Sequence, residues 1–359
     1  MKKVLLTGGH AATTAISVIE ELIRRYGKEG IDISWIGARF PIEGKEVGGL
    51  ELKIFPDFGV KSYLINAGRL QRKFTRYTIF SLLKLPIGFI QAFYYIFKIK
   101  PEVTLSFGGF AAFPVVFASW LFGIPVLIHE QTFSVGLANK LSTYFAKEVL
   151  LARRESTKHF GRRKIEVVGN PVMTQISEVG VKEKIGNPPV IFVMGGSRGS
   201  ERINDALFSV MDKLLEKYQV IHIAGQSDCK RFESIKNKNY RCFSFVSPMQ
   251  IDNLYRQSDI VISRSGANTV AELMIVKRPA ILIPIPWSNL NEQEENAKSA
   301  EDFGVARILK QEDLSGERLL KEIQEIIKDW DEIVSLIKSK HSGDVSASSK
   351  VVDVLKKYL

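Results

Sequence analysis

The chain has 359 residues, 45% apolar and 25% charged, with 27 glycines and 13 prolines. That is about twice the usual domain size, so two domains are expected, and the composition excludes collagen-like, low-complexity and intrinsically disordered chains. The formal net charge of +11 is uneven: residues 1–180 carry 24 Lys and Arg against 14 Asp and Glu, whereas residues 181–359 carry 26 against 25. Two cysteines, Cys229 and Cys242, without Cys or His neighbours at metal-ligand spacing, suit a reducing compartment. The apolar stretch in MKKVLLTGGH is too short for a signal-peptide core, so no export is expected.

In chain order, Val4-Leu5-Leu6 reads as a short buried strand, Thr7-Gly8-Gly9 as a turn, and Ala15, Ile16, Ile19, Leu22 and Ile23 as the apolar face of a helix. His10 follows the turn, where an unperturbed imidazole pKa of about 6.5 suits a general base; on position alone an ordinary helix-start histidine is the better reading. Residues 61–100 hold eight basic residues, nine aromatics and no acid, which makes them a nucleic-acid face or a membrane face. The aromatics fall into two helix-length segments broken near Pro86.

Residues 103–128 carry no charge, a length that would span a membrane. Gly108-Gly109, Pro114, Gly123 and Pro125 divide them into strand, loop, helix and strand, so buried α/β core is expected. Polar side chains then appear abruptly at the strand end His129-Glu130-Gln131, as at a site. Arg153, Arg154, Lys158, Arg162, Arg163 and Lys164 form a basic cluster that reads as a solvated surface or as phosphate contacts.

The strand-turn-helix grammar returns twice. Residues 190–194 lead through Gly195-Gly196-Ser197-Arg198-Gly199-Ser200 into a helix bearing Ile203, Leu207, Val210, Met211 and Leu214, and Ile260-Val261-Ile262 leads through Ser263-Arg264-Ser265-Gly266-Ala267 into a helix bearing Glu272. Continuous β-branched runs alternating with helices indicate parallel strands buried on both faces, hence an α/β protein of two Rossmann-like domains. The expected division is 1–172, 173–340, and a helix in 341–359 that packs back on the first domain. A helix N-terminus behind a glycine turn offers unpaired N–H groups and a partial positive charge to phosphate, with no need of metal. None of the three turns has the full G-x-G-x-x-G or Gly-Lys-Ser/Thr signature, so nicotinamide chemistry and ATP hydrolysis lose ground. Asp329-Trp330-Asp331 has the look of a metal-nucleotide motif but falls in a helical stretch; no metal and no cofactor are expected.

These residues resemble the MurG family of bacterial peripheral-membrane glycosyltransferases, which move N-acetylglucosamine from UDP-N-acetylglucosamine onto lipid-linked muramoyl-pentapeptide. The resemblance covers residues 1 to about 310. It rests on ordered motifs: Thr7-Gly8-Gly9-His10, Phe107-Gly108-Gly109, Gly123-Ile124-Pro125-Val126 with His129-Glu130-Gln131, Gly169-Asn170-Pro171-Val172, Gly195-Gly196-Ser197, Arg264-Ser265-Gly266-Ala267 with Thr269 and Glu272, and Asn291-Glu292-Gln293-Glu294 with Asn296-Ala297. It implies the B-type architecture, two Rossmann-like domains with parallel sheets facing a cleft. It also implies an inverting, metal-independent transfer at the cytoplasmic face of the cell membrane.

By the same resemblance His10 and Glu130 are catalytic, and Thr7, Gly8, Gly9 and Thr132 take the acceptor. Ser197, Arg198, Ser265 and Gly266 take the diphosphate, Val246 the uracil, Glu272 the ribose and Gln293 the sugar. Arg72, Lys73, Phe74, Arg76, Tyr77 and Phe80 are the expected face toward an anionic membrane, with an undecaprenyl-diphosphate-linked acceptor and no nucleic-acid partner. The chain departs from the family pattern at Leu5, Leu6, Phe110, Thr132, Met173 and Arg198, the last standing where it would replace phosphate charge lost at Met173. A UDP-sugar epimerase and a catalytically weak membrane-docking subunit are the alternative functions.

Overall fold

The computed structural model describes residues 1–9, 11–39, 49–67, 76–161, 164–196 and 199–359, with the side chains of residues 76–84 and of Asn289 left out. Contacts divide the chain into two compact units, Met1–Met173 with Gly343–Leu359, and Thr174–Ser342.

In the first unit the strands are β1 (Lys2–Thr7), β2 (Ile31–Ala38), β3 (Lys61–Ile65), β4 (Val103–Ser106), β5 (Val126–Glu130), β6 (Glu148–Leu151) and β7 (Ile165–Val167). They form one parallel sheet in the order β3-β2-β1-β4-β5-β6-β7. The second unit holds β8 (Val190–Met194), β9 (Gln219–Ile223), β10 (Tyr240–Phe243), β11 (Ile260–Ser263), β12 (Ala280–Leu282) and β13 (Ala306–Ile308), also parallel, in the order β10-β9-β8-β11-β12-β13. Val4, Leu5, Leu6, Ile191, Phe192, Val193, Ile260, Val261 and Ile262 are fully buried. The continuous apolar runs are therefore central strands covered on both faces, and the fold class expected from sequence is the one observed. In each sheet the crossover order reverses beside the first strand, which puts the carboxyl ends of β1 and β4, and of β8 and β11, side by side where α/β sheets take ligands.

Residues 103–128 divide as expected, into β4, the Ala112–Leu121 helix and the start of β5. Elsewhere two expectations fail. The Arg76–Ile99 helix runs through Pro86 without a break: a proline φ of about −65° fits a helix, and the bond Pro86 cannot donate is offset by Ala92, Ile96 and Ile99 packing with Leu5, Ile36 and Ile65. Conversely, the single helix expected over residues 203–214 is two, Glu201–Ser209 and Met211–Leu215, parted at Val210 with φ −122°. Ile203, Leu207 and Leu214 still reach one core, so the apolar periodicity survives the kink.

The C-terminal Ala347–Lys356 helix belongs to the first unit. Arg25, on the Ala12–Tyr26 helix, bonds Asp353 and Ser349 of it.

Candidate functional site

At the end of β1, Thr7 is fully buried and its Oγ1 donates to the Ile36 carbonyl at 2.8 Å. Its hydroxyl thus serves the β1–β2 junction. Beyond it, the Gly9 N–H donates to the Gly108 carbonyl at 2.9 Å. Gly109 has φ +91°, and a Cβ there would lie 2.9 Å from the Gly9 nitrogen. Two glycine loops therefore pass backbone against backbone, an approach only glycine permits. Gly8, Gly9, Trp35, Gly37, Glu51 and Phe110 line a pocket beside them. His10 lies outside the described residues.

Glu130, at the end of β5, is buried, and burial pushes its carboxyl above the usual range. Four donors oppose that: Asn139 Nδ2 at 2.8 Å on Oε2, the Thr132 hydroxyl and N–H at 2.9 and 3.2 Å on Oε1, and the Gly136 N–H. The Asn139 Oδ1 in turn sits against Gly108, where a Cβ would come within 2.6 Å of it. Glu130 and Asn139 thus pack the end of β5 against the Gly108–Gly109 loop, and Thr132 spends its hydroxyl on the same carboxylate. Both carboxylate oxygens of Glu130 are thus engaged inside the fold.

His129 is fully buried, and desolvation holds its pKa down to about 4. The ring is therefore neutral, and Nε2–H donates to the Gly169 carbonyl at 2.9 Å. The next residue, Asn170, donates its backbone N–H to Asp344 at 2.8 Å, and Arg153 grips the same carboxylate at 2.7 and 2.9 Å. Arg153, read from sequence with a basic surface cluster, is thus committed to an internal ion pair.

In the second unit, Gly199 has φ +78°, and a Cβ on it would collide with the Ala224 carbonyl at 2.2 Å. The turn after β8 is thereby pressed against the end of β9. Asn204 fixes the same junction: its Nδ2 donates to the Ala224 carbonyl and to Asp228 at 2.9 and 2.7 Å, and its Oδ1 lies 3.0 Å from His222 Nε2. Burial lowers His222 to about 3, so this ring too is neutral. It donates from Nε2 to Asn204 and accepts the Tyr240 hydroxyl at Nδ1, 2.9 Å away. Ser197 and Arg198 lie outside the described residues.

Arg264 lies buried at the end of β11. It donates to the Ser200 hydroxyl at 3.1 Å, the Ile283 carbonyl at 3.0 Å and Gln311 Oε1 at 2.7 Å. All are neutral acceptors, so among the described residues its charge has no carboxylate to cancel it, and burial lowers its pKa to about 10. A cation thus stands between the two turns that the phosphates of a nucleotide would face.

Ser265 is fully buried, and its hydroxyl donates to the Gln293 carbonyl at 2.7 Å while Asn296 Nδ2 donates to the Ser265 carbonyl at 3.0 Å. These two bonds hold the Ser265–Gly266 turn against the segment around Gln293 and Asn296. Gly266 caps the ten-residue Ala267–Val276 helix. The Gln293 Oε1 accepts the Ile285 N–H at 3.1 Å, which fixes which end of the amide is oxygen. Glu272, half-buried on that helix, has its carboxyl pushed up to about 7 by burial, opposed by the Tyr255 hydroxyl donating to Oε2 at 2.9 Å. Val246 is half-buried in the segment after β10.

Of the expected membrane face, Arg72, Lys73 and Phe74 lie outside the described residues, as do the side chains of Arg76, Tyr77 and Phe80. Further along that helix the aromatics separate. Phe89 and Phe93 pack edge-on against Phe117 at 5.6 and 6.4 Å, whereas Ile87, Ile90, Tyr94 and Phe97 are exposed at spacings of three and four that put them on one face. Trp120, Leu121 and Phe122 are exposed at the end of the next helix, with the Phe122 ring 5.9 Å from Phe93. Among the described residues no helix is long and apolar enough to cross a membrane.

The N-terminal domain of glycosyltransferase family 28 matches residues 7–151, and its C-terminal domain matches residues 190–353. The chain belongs to glycosyltransferase family 28. A relative from Bacillus cereus, 34% identical and covered to 96% on both sides, is a UDP-N-acetylglucosamine–N-acetylmuramyl-(pentapeptide) pyrophosphoryl-undecaprenol N-acetylglucosamine transferase 2. A Clostridium botulinum transferase of the same description is 34% identical over 100% of this chain and 99% of its own. The crystal structure of Acinetobacter baumannii MurG superposes with a TM-score of 0.73 at 24% identity, covering 99% of this chain and 100% of that one. A UDP-GlcNAc 2-epimerase from Neisseria meningitidis, bound to UDP-GlcNAc, reaches 0.68 at 12% identity over 99% and 100%. Both superpositions show the B-type fold that family 28 shares with the epimerases; the transferases match in sequence through both units.

Proposed function

We propose that this family 28 protein transfers N-acetylglucosamine from UDP-N-acetylglucosamine to lipid-linked muramoyl-pentapeptide, lipid I, forming lipid II for peptidoglycan. The observation that carries it is full-length identity of 34% to transferases of that description, through both units. It is a hexosyltransferase. The donor belongs to the second unit: Glu272 accepts the ribose hydroxyls, the segment at Val246 meets uracil, Gln293 turns its amide to the sugar, and the backbone N–H groups of the Gly195–Ser200 and Ser265–Gly266 turns face the diphosphate. Ser197 and Arg198 join them there.

The acceptor belongs to the first unit, at the Gly8–Gly9 and Gly108–Gly109 loops. The acceptor 4-hydroxyl oxygen bonds to the anomeric carbon as the bond from that carbon to the UDP oxygen breaks, with inversion. The hydroxyl proton passes to a base, the role of His10 by its place directly after Gly8–Gly9 in the sequence. Charge developing on UDP is met by helix N-termini and by Arg264 beneath both turns, so the step runs without a metal. Glu130 and Asn139 hold the Gly108–Gly109 loop in place.

Docking to an anionic membrane at the cytoplasmic face brings the lipid acceptor within reach. Ile87, Ile90, Tyr94 and Phe97, with Trp120, Leu121 and Phe122, form an apolar surface that enters the acyl boundary, with Lys98 and Lys100 exposed beyond Phe97 for the headgroups. Proton NMR of UDP-N-acetylglucosamine with the full chain tests the reading against its nearest alternative. Without acceptor the sugar should stay unchanged; with a short-chain lipid I analogue, free UDP should appear in step with disaccharide product. Conversion to the 2-epimer without acceptor would overturn the proposal.

A further inference from the structure

The two cysteines, 13 residues apart in sequence, meet in the fold. Cys229 opens the Cys229–Phe232 helix after β9, and Cys242 lies on β10, the edge strand, paired in register with His222. Their sulfurs stand 3.8 Å apart and both residues are partly exposed, so a small oxidant in solution reaches the pair. Rotation about the two side-chain bonds has to bring the sulfurs together by about 2 Å to reach bonding distance, a smaller movement than a change of strand or helix position.

We propose that Cys229 and Cys242 form an oxidation-sensitive dithiol, converted by a peroxide to an intramolecular disulfide and returned to two thiols by a small-molecule thiol. In the first step the Cys229 sulfur attacks one peroxide oxygen. The O–O bond breaks, a sulfenic acid forms and hydroxide leaves, taking up the thiol proton as water. In the second step the Cys242 sulfur displaces the sulfenic oxygen, which leaves as a second water carrying the Cys242 proton, and the S–S bond forms. Two thiols have then lost two electrons, and one hydrogen peroxide has become two waters.

The order of attack follows from surroundings. Burial pushes the Cys242 thiol up, which disfavours it as the group that attacks the peroxide and gives it the resolving step. Contact between the sulfurs makes the second step effectively unimolecular, so it outruns further oxidation of the sulfenic acid. The crosslink would tie the edge strand to the helix after β9, four residues before Val246.

The full-length protein is treated with a small excess of hydrogen peroxide, with and without dimedone as a sulfenic-acid trap, and analysed by intact mass and non-reducing peptide mapping. The expected product is a monomer lighter by two hydrogens, with the Cys229 and Cys242 peptides linked, little dimedone adduct, and two thiols recovered after dithiothreitol. In Cys242→Ser the resolving sulfur is gone, so the dimedone adduct on Cys229 should rise at least tenfold. Linkage between chains, oxygen gained without linkage, or equal trapping in parent and variant would overturn the proposal; the parent's own mass and peptide map decide it even if the variant fails to fold.

Discussion

Glu272 carries the donor side of the account, and Tyr255 sets its state. A carboxylate that accepts two ribose hydroxyls makes charge-assisted bonds of about 1.5 to 3 kcal/mol each, so Glu272→Ala should weaken UDP binding at least tenfold by calorimetry. Burial raises the Glu272 carboxyl to about 7; the charged acceptor is lost on acidification, so UDP affinity should weaken as pH falls through that value. Tyr255→Phe removes the bond that favours the charged form and should move the midpoint of that profile upward. A flat profile in the parent would mean that Glu272 does not bear on the nucleotide. Glu272 stands out in the sequence because it follows a glycine turn by six residues, and the family resemblance gives it the ribose. Tyr255 does not stand out, because it lies 17 residues upstream on a separate helix, and no local spacing joins the two. Asn139 escaped for the same reason, and Arg264, though part of a motif read in the sequence, gave no sign there of its buried partners Ser200, Ile283 and Gln311.

Among the elements, the Arg76–Ile99 helix shows what residue type alone leaves open. Its aromatics read from sequence as one surface, but the neighbouring helix takes Phe89 and Phe93 into an aromatic cluster with Phe117 and leaves Ile90, Tyr94 and Phe97 outside. Periodicity marks which side chains share a face and is silent on which face finds a partner. Replacing Ile90, Tyr94 and Phe97 together by Ser should reduce co-sedimentation with anionic vesicles at least fivefold without moving the melting temperature. Phe93→Ala, by contrast, should cost about 2 kcal/mol of stability. Equal vesicle binding by the triple variant and the parent would place the membrane surface elsewhere. The glycine loops were the more legible elements, since strand, turn and helix follow each other within a dozen residues. At Gly109 the requirement is steric and conformational together, so Gly109→Ala should lower acceptor-dependent turnover while leaving UDP affinity unchanged.

For the whole molecule, two parallel sheets could be read from apolar runs alternating with helical patterns, because a strand covered on both faces has no polar alternation to disguise it. The C-terminal helix was legible as an apolar pattern, and it is held in the first unit by the complete burial of Ala347, Val351, Val352, Val354 and Leu355, to which the Arg25–Asp353 ion pair is a minor addition. Each unit also buries a neutral histidine, His129 at about 4 and His222 at about 3. The unfolded chain takes up protons near 6.5 that these sites refuse, so the stability they contribute is present above that pH and lost as pH falls below it. Glu272, with its raised pKa, acts in the opposite sense over the acidic range. His222→Gln should therefore lose less melting temperature than the parent between pH 7 and pH 5; parallel loss would contradict the buried neutral state. The most direct test of the whole account is transfer of radiolabelled N-acetylglucosamine from its UDP donor to a short-chain lipid I analogue. The account predicts label in the lipid extract only when acceptor is present, at a rate cut at least tenfold by Glu272→Ala at subsaturating donor; label that stays in the aqueous phase with active, UDP-binding protein would contradict it.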